Sequence, residues 1–290
     1  MTPARPQGTA SQGEATNSTG NAVRPVVLLT GALRGIGAAT VELLVSAGAD
    51  VALLARDADA LADVARRADP SGKHSFCLPA DVADLDAAPD MIDQVLQRFG
   101  RLDGLVNNAA VMNPLGMTGS VDVLAYERLL RVNVLAPLAL FQAALPALRA
   151  ASGRVVNVVS VAATMPVPGA GAYGVSKAAL TQLTRVIATE EANVTAVALD
   201  PGPTDTDMMA DVRSRPESMP PEWAARYRRM KDEGMLNAPD VPARAMAWLA
   251  LNADRDLTGR VLTCQDREVA EPALASFGEA ADYRPPPPPE

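Results

Sequence analysis

Seven short apolar runs recur along the chain: VVLLTG from Val26, VALLAR from Val51, SFCLPA from Ser75, GLVNNAA from Gly104, RVVNVVS from Arg154, NVTAVALD from Asn193 and RVLTC from Arg260. Most are separated by stretches whose apolar positions follow the helical period, at Gly35 to Ala47, Ala58 to Ala68, Met91 to Phe99, Val121 to Ala150, Ala172 to Glu191 and Val241 to Leu251. Near-continuous apolar strands alternating with helices predict an α/β architecture, a doubly wound parallel sheet of about seven strands covered on both faces. With the strand order 3-2-1-4-5-6 and the seventh strand beyond the sixth, Cys77 and Cys264 fall on opposite edges, about six spacings of ~4.8 Å apart and too far for a disulfide.

The pattern marks out one domain over residues 23–268, between a polar leader at 1–22 and a proline-rich tail at 269–290, both expected to be disordered. The connection 203–240 is long, proline-bearing and rich in methionine, and it reads as a lid loop.

Composition narrows the function. The 290 residues are 48% hydrophobic, with a net charge of −8 and a pI near 4.8, which argues against nucleic acid or an anionic membrane as partner. The longest apolar run, Val134 to Leu148, is interrupted by two prolines and a glutamine, and no stretch has the build of a signal peptide, so a soluble, cytoplasmic protein is expected. Two cysteines and the lone His74 do not assemble a zinc site, and a Ser-His-Asp hydrolase would have to use a histidine set in the polar turn DPSGKHS.

The first strand runs into TGALRGIG, with Gly31, Gly35 and Gly37 ahead of a helix. Glycines there allow a tight turn and close approach to a pyrophosphate, whose charge the helix amino terminus meets; a plain strand-to-helix turn is the alternative. Polar residues then follow four further strands: Asp81 and Val82 after the third, Asn107 and Asn108 after the fourth, Ser160 after the fifth and DPGPTDT from Asp200 after the sixth. Ligands of doubly wound sheets bind at that edge. In GAGAYGVSKAAL, Tyr173 and Lys177 stand one helical turn apart, and an ammonium beside a phenol lowers its pKa toward the range of a general acid or base. An ordinary amphipathic helix start would have the same spacing.

Taken as a set, TGALRGIG, NNAA, Ser160 thirteen residues before Tyr173, YGVSK and PGPTDT resemble the single-domain branch of the short-chain dehydrogenase/reductase family over residues 24–264. The resemblance implies a Rossmann-type fold and a hydride transfer between a nicotinamide coenzyme and a carbonyl or secondary alcohol. It implies that Tyr173 donates or accepts the substrate proton, Ser160 bonds the substrate oxygen, and Lys177 holds the nicotinamide ribose while lowering the tyrosine pKa. Asn133 would complete a proton relay through water, and Pro137, lacking an N–H, leaves the carbonyl of Asn133 free for it unless a neighbouring hydroxyl takes it. Asp81 would sit by the adenine and Thr206 by the carboxamide, with Gly31, Arg34, Gly35, Ile36, Gly37, Arg56, Val82, Asn108, Ala109, Pro201, Gly202 and Thr204 completing the coenzyme site with Tyr173 and Lys177. Two departures stand out: Ala110 replaces the usual glycine of the Asn-Asn-Ala-Gly segment, and CQDREVAEPALASFGEA follows the last strand where a Gly-Gly segment is common.

The coenzyme reading rests on the second strand, where an acidic residue would bond a ribose 2′-hydroxyl. Here Ala55 ends the strand and Arg56 follows, with Arg34 in the glycine turn on the other side. Two guanidiniums favour a 2′-phosphate and hence NADP(H). Asp57 keeps NAD as the alternative. Val111, Met112, Met165, Val167, Met208 and Met209 outline an apolar, adaptable wall that suits a hydrophobic ketone, although such methionines also serve as core filler. Apolar surplus at Leu138, Phe141, Leu145, Ala179 and Leu183 suggests a homodimer or homotetramer through two helices. The competing reading is a catalytically silent coenzyme-binding sensor or scaffold; loss of the tyrosine or lysine would mark it, and both are present.

Overall fold

The computed structural model describes residues 23–278, so the expectations for 1–22 and for the proline run of the tail lie outside the described residues. The strands are β1 (Val26–Thr30), β2 (Asp50–Ala55), β3 (Ser75–Pro79), β4 (Gly104–Asn107), β5 (Arg154–Val158), β6 (Thr195–Asp200) and β7 (Val261–Thr263). They form one parallel sheet in the order β3-β2-β1-β4-β5-β6-β7. Side chains alternate between faces along each strand. Val27, Leu29, Val51 and Leu53 therefore pack into one buried layer with Val41, Leu44, Met246 and Leu249. Val26, Leu28, Ala52 and Leu54 face the other, with Ile92, Val95, Leu140 and Leu148. This two-sided burial is why the strands read as continuous apolar runs.

The helices are α1 (Gly35–Ser46), α2 (Ala58–Ala68), α3 (Ala88–Phe99), α4 (Val123–Leu130), α5 (Ala136–Ala151), α6 (Gly171–Glu190), α7 (Asp207–Arg213), α8 (Pro221–Asp232), α9 (Asp240–Asn252) and α10 (Arg267–Phe277). The single helix expected over Val121 to Ala150 is divided by a π-helical turn at Arg131–Leu135, in which the N–H of Ala136 donates to the carbonyl of Arg131. By length and composition alone Val123–Ala151 is long and apolar enough to cross a membrane. Here it covers the sheet, with Leu140, Ala144 and Leu148 buried against it. Cys77 on β3 and Cys264 just beyond β7 are both free thiols on opposite edges, as expected.

Two boundaries change. The segment 203–240 is not a loop, since it contains α7 and α8, and the polar sequence EWAARYRRM of α8 hid its helical period by exposing most of its surface. The tail expected at 269–290 begins as a helix: α10 buries Val269 completely and Ala273 to 2% exposure in the core layer shared with α9. Its start is set by Asp266, whose carboxylate accepts from the N–H of Thr263 at 2.7 Å and turns the chain back over β7. A carboxylate in place of the Val269 side chain would have to be buried without a partner. Val269→Asp is therefore expected to lower stability by about 3 kcal/mol, measured as the shift in a urea unfolding midpoint.

Candidate active site

The site is built where β1 meets α1. Gly31 and Gly35 have φ of +70° and +54°, a region that side chains disfavour. A Cβ on Gly37 would stand 2.2 Å from the carbonyl oxygen of Gly31, so the turn closes only around a glycine. The loop after β4 is locked onto the same turn. Asn108 Nδ2 donates to the carbonyls of Thr30 and Gly31 at 3.0 and 3.1 Å, and the N–H groups of Asn108 and Ala109 donate to Thr30 Oγ1 at 3.0 Å each. Arg34 occupies the N-cap of α1 and its side chain caps nothing, which leaves the N–H groups of Gly35, Ile36 and Gly37 for another acceptor. A cradle without Cβ atoms at a helix amino terminus fits the pyrophosphate of a dinucleotide. Among the described residues no group of three or more His, Cys, Asp or Glu residues is placed to hold a metal ion.

The loop after β6 closes the other side. Gly202 has φ +65° and donates its N–H to Asp200 Oδ1 at 2.9 Å, while the buried Thr204 hydroxyl reaches the carbonyls of Pro201 and Gly202 at 3.3 and 3.1 Å. Thr206 caps α7 and lies 3.3 Å from where a Cβ of Gly35 would be. Asn237, from the far end of the inserted helices, pairs with Thr204 and pins both ends of the insertion together. Arg34 turns toward this side: its Nη1 bonds Asp207 Oδ2 at 2.9 Å in an exposed ion pair, rather than reaching toward β2.

Between these loops, α6 carries Tyr173 and Lys177. The Lys177 side chain is 1% exposed, its Nζ stands 5.5 Å from the centre of the Tyr173 ring, and it donates to the carbonyl of Val158 at 2.6 Å. The Ser160 hydroxyl hydrogen-bonds the Tyr173 phenol and accepts from the N–H of Ala162 at 3.2 Å, which fixes it at the end of β5. Asn133 is wholly buried in the π-turn. Its side chain clamps Val111 through the N–H and carbonyl at 2.9 and 2.8 Å, and its Nδ2 donates to Ser176 Oγ at 3.0 Å. Ser176 Oγ donates in turn to the carbonyl of Tyr173 at 2.7 Å. The side chain is thus committed to structure, and Pro137 offers no N–H to the Asn133 carbonyl.

The protonation states correct one expectation. Burial pushes the Tyr173 phenol up, Ser160 opposes the rise, and the negative charge of Asp200 adds to it. Burial also pushes Lys177 down to about 8. The lysine does not draw the tyrosine toward neutrality in this structure, because both groups are dehydrated and dehydration penalises the charged form of each. Tyr173 is held as the acid, able to give a proton.

The other anticipated residues fall around this centre. Asp81 uses its carboxylate to accept from the N–H of Ala83 at 2.9 Å, and Val82 packs half-buried against the layer beneath. Arg56 is exposed at the end of β2, while Asp57 caps α2 by accepting from Ala60 at 3.0 Å. Met208 and Met112 pack against the cluster of Leu129, Ala172 and Tyr173, and Met165 is half-buried nearby in sequence on the Ser160 segment. Sequence reasoning missed Trp223 and Tyr227 of α8, which join Met112 and Leu115 in an apolar cluster, with Tyr227 close enough to influence Tyr173 electrostatically. It also missed Thr30 and Asn237, whose hydroxyl and amide organise the two loops. Their signal was the motif neighbour itself, since Thr30 directly precedes Gly31.

A dinucleotide cradle beside a tyrosine acid, on a doubly wound sheet, defines a nucleotide-dependent oxidoreductase of the α/β class. The short chain dehydrogenase family model matches residues 25–217. An uncharacterized oxidoreductase of Saccharomyces cerevisiae is 34% identical over 255 residues, covering 87% of this chain and 98% of that protein. Its crystal structure superposes with a TM-score of 0.81, covering 85% of this chain and 98% of that one at 32% identity. The benzil reductase, (S)-benzoin forming, of the same yeast is 32% identical over 84% of this chain and 97% of its own length. A blue fluorescent protein from a metagenomic library, solved in complex with NADPH, is 31% identical, with a TM-score of 0.71 over 82% of this chain and 96% of that one. The chain belongs to the short-chain dehydrogenase family. It is an oxidoreductase acting on CH–OH or carbonyl groups of small molecules.

Proposed function

We propose that the protein is an NADP(H)-dependent reductase of bulky apolar ketones, with Tyr173 as the proton donor. The observation that carries this reading is the placement of Tyr173, buried on α6 with Lys177 Nζ 5.5 Å from its ring centre and Ser160 near its phenol, which burial holds neutral. The bound nicotinamide supplies the hydride. Gly31, Gly35, Ile36, Gly37, Asn108, Ala109, Pro201, Gly202, Thr204 and Thr206 hold the coenzyme, with Asp81 and Val82 on the adenine side. Ser160 and Tyr173 bond the substrate oxygen, Tyr173 releases its proton to it, and Lys177 holds the ribose and returns charge balance to the phenolate. The Asn133 carbonyl anchors a water that resupplies the proton. Met112 joins the cluster of Tyr173 and Met208 to that of Trp223 and Tyr227, an apolar surround with two aromatic rings that supports aryl ketones, and benzil, the substrate named for the yeast relative, is the first to try.

Replacing Tyr173 by Phe removes the proton donor and leaves the cradle intact. Turnover of benzil is expected to fall by about 10²- to 10⁴-fold, with NADPH affinity by fluorescence titration nearly unchanged. Retained turnover sinks the assignment of the proton to Tyr173.

Coenzyme choice rests on Arg56, since Asp57 is occupied at the α2 cap and offers less to a ribose hydroxyl. Arg34 joins it only by leaving Asp207, and an exposed ion pair of that kind is worth about 1 kcal/mol or less. The unmodified protein is expected to bind NADPH more tightly than NADH. Arg56→Ala should weaken NADPH about tenfold, Arg34→Ala added to it should weaken it further, and NADH should hardly change. Equal affinity for the two coenzymes in a titration of the unmodified protein contradicts this.

Of the residues expected at a dimer interface, Leu138 and Ala179 are partly exposed and the others pack inward. Phe141 is buried within the subunit, and Leu145 and Leu183 pack against the same layer. Exposed apolar residues on the same two helical segments include Val123 and Leu124 on α4, at 78% and 73% exposure, Leu135 in the π-turn, and Val175 and Val186 along α6. A second copy covering this face makes a homodimer, and sedimentation at micromolar concentration is expected to give at least twice the chain mass. A monomer there removes this interface.

A further inference from the structure

We propose that Asp200 is a positioning residue for the reaction: its carboxylate ties the Pro201–Gly202 loop to the Ser160 turn and is the counter-charge of the buried Lys177 ammonium. The inference rests on the proposed roles of Tyr173 and Lys177.

The geometry starts from the sheet. β5 and β6 pair with Val158 opposite Leu199, and the N–H of Val159 donates to the Leu199 carbonyl at 2.8 Å. Asp200, one residue further, is therefore set beside the chain that runs from Val158 into Ser160. Its Oδ1 accepts from the N–H of Gly202 at 2.9 Å, and the N–H of Val161, the residue after Ser160, is near enough to the same carboxylate to lower its pKa. One side chain thus joins the loop of the coenzyme cradle to the turn that bears Ser160.

The charge argument starts from the same register, which sets Asp200 beside Val158, the residue whose carbonyl Lys177 bonds. An ammonium has three donors, and Lys177 Nζ donates to the Val158 carbonyl, a neutral acceptor. A neutral acceptor does not offset the cost of burying a charge, whereas a nearby carboxylate does. The titratable groups facing Asp200 are Lys177 and, beyond it, Tyr173 on α6, and Asp266 with Cys264 in the turn between β7 and α10; Tyr227 on α8 faces Tyr173. Burial pushes Asp200 up, while the N–H groups of Gly202 and Val161 and the charge of Lys177 pull it back, and Asp266 adds to the rise. Asp200 in turn raises both Lys177 and Tyr173. Carbonyl reduction uses Lys177 charged and Tyr173 protonated, so loss of the Asp200 charge makes both surrender their protons at lower pH.

Lys73, Lys177 and Lys231 are the chain's lysines, so Lys177 Nζ can be followed by ¹⁵N NMR in the full chain and assigned with Lys177→Met. In Asp200→Asn the Lys177 midpoint, near 8 in the unmodified protein, is expected to fall by about one pH unit, and Asp200→Glu should restore most of it. The alkaline limb of benzil reduction with NADPH should move down with it. A purely structural role would change the melting temperature and leave the midpoint where it was, and that result overturns the proposal. Reciprocity supplies a test that does not need a folded Asp200→Asn: in Lys177→Met the ¹³C titration of the Asp200 carboxylate should move up, and an unmoved titration overturns the pairing. The NMR readouts need no turnover, so failure of the Tyr173 assignment, read from Tyr173→Phe kinetics, is separable from failure of this one.

Discussion

An ammonium buried to 1% exposure has to be held by something other than water, and in this fold the arrangement around Lys177 meets that demand. The side chain reaches the Val158 carbonyl only if α6 crosses the end of β5 at one height and one rotation. A polar ladder under the helix fixes both. Asn107 on β4 donates to Asn157 on β5 at 2.8 Å, and Asn157 donates to Thr184 on α6 at 2.9 Å. Two turns nearer the site, Ser176 bridges Asn133 in the π-turn and the carbonyl of Tyr173. Buried amides and hydroxyls tolerate little displacement once paired, because an orphaned polar group in the core costs on the order of 1–3 kcal/mol. The helix that carries the chemistry is therefore located by hydrogen bonds of defined geometry more than by its apolar stripe.

The same economy of space governs the loops. Thr30, Asn108 and the glycine turn occupy one another's contact surface, with a hypothetical Cβ on Gly31 only 2.9 Å from Asn108 Nδ2 and from the Ala109 backbone. Their hydrogen bonds run between loops from different strands, so the turn cannot relax without moving the residues after β4. Those residues in turn are gripped by Asn133 through Val111. A continuous set of contacts leads from the pyrophosphate cradle to the π-turn and on to Tyr173. This arrangement explains why four separate loops, far apart in sequence, present one rigid surface at the carboxyl edge of the sheet.

The fold was legible because the sheet is buried on both faces, which writes its strands as apolar runs and its order as the alternation of helices between them. The glycine turn, the Tyr173–Lys177 pair and Ser160 were legible because each needs particular residue types at fixed spacings. What escaped has physical reasons. α8 exposes most of its residues, so it has little apolar period to read, and α10 follows a tight turn made by Asp266 where family resemblance offered no template. The π-turn leaves the residue types of a helix unchanged and alters only its bonding, though Pro137 hinted at an interruption near it. Arg34 was assigned to a phosphate by spacing, and its pairing with Asp207 depends on where α7 lies, which sequence spacing does not carry.

The expectation about proton affinity failed for a reason that reaches beyond one residue. A lysine four positions from a tyrosine lowers the phenol's pKa only if the lysine is charged and the phenolate is tolerated where it forms. Burial works against both conditions at once, raising the acid that becomes charged on losing its proton and lowering the base that is charged while holding one. In this buried site the phenol of Tyr173 rests neutral beside a lysine whose pKa burial lowers to about 8, which is the state the proposed proton donor requires. The ionic form of the pair becomes favourable only as charge develops on the reacting oxygen. Under the proposed mechanism, an environment that resists the ion pair beforehand, with Ser160, Lys177 and Asp200 nearby, would direct its stabilisation to the moment of reaction.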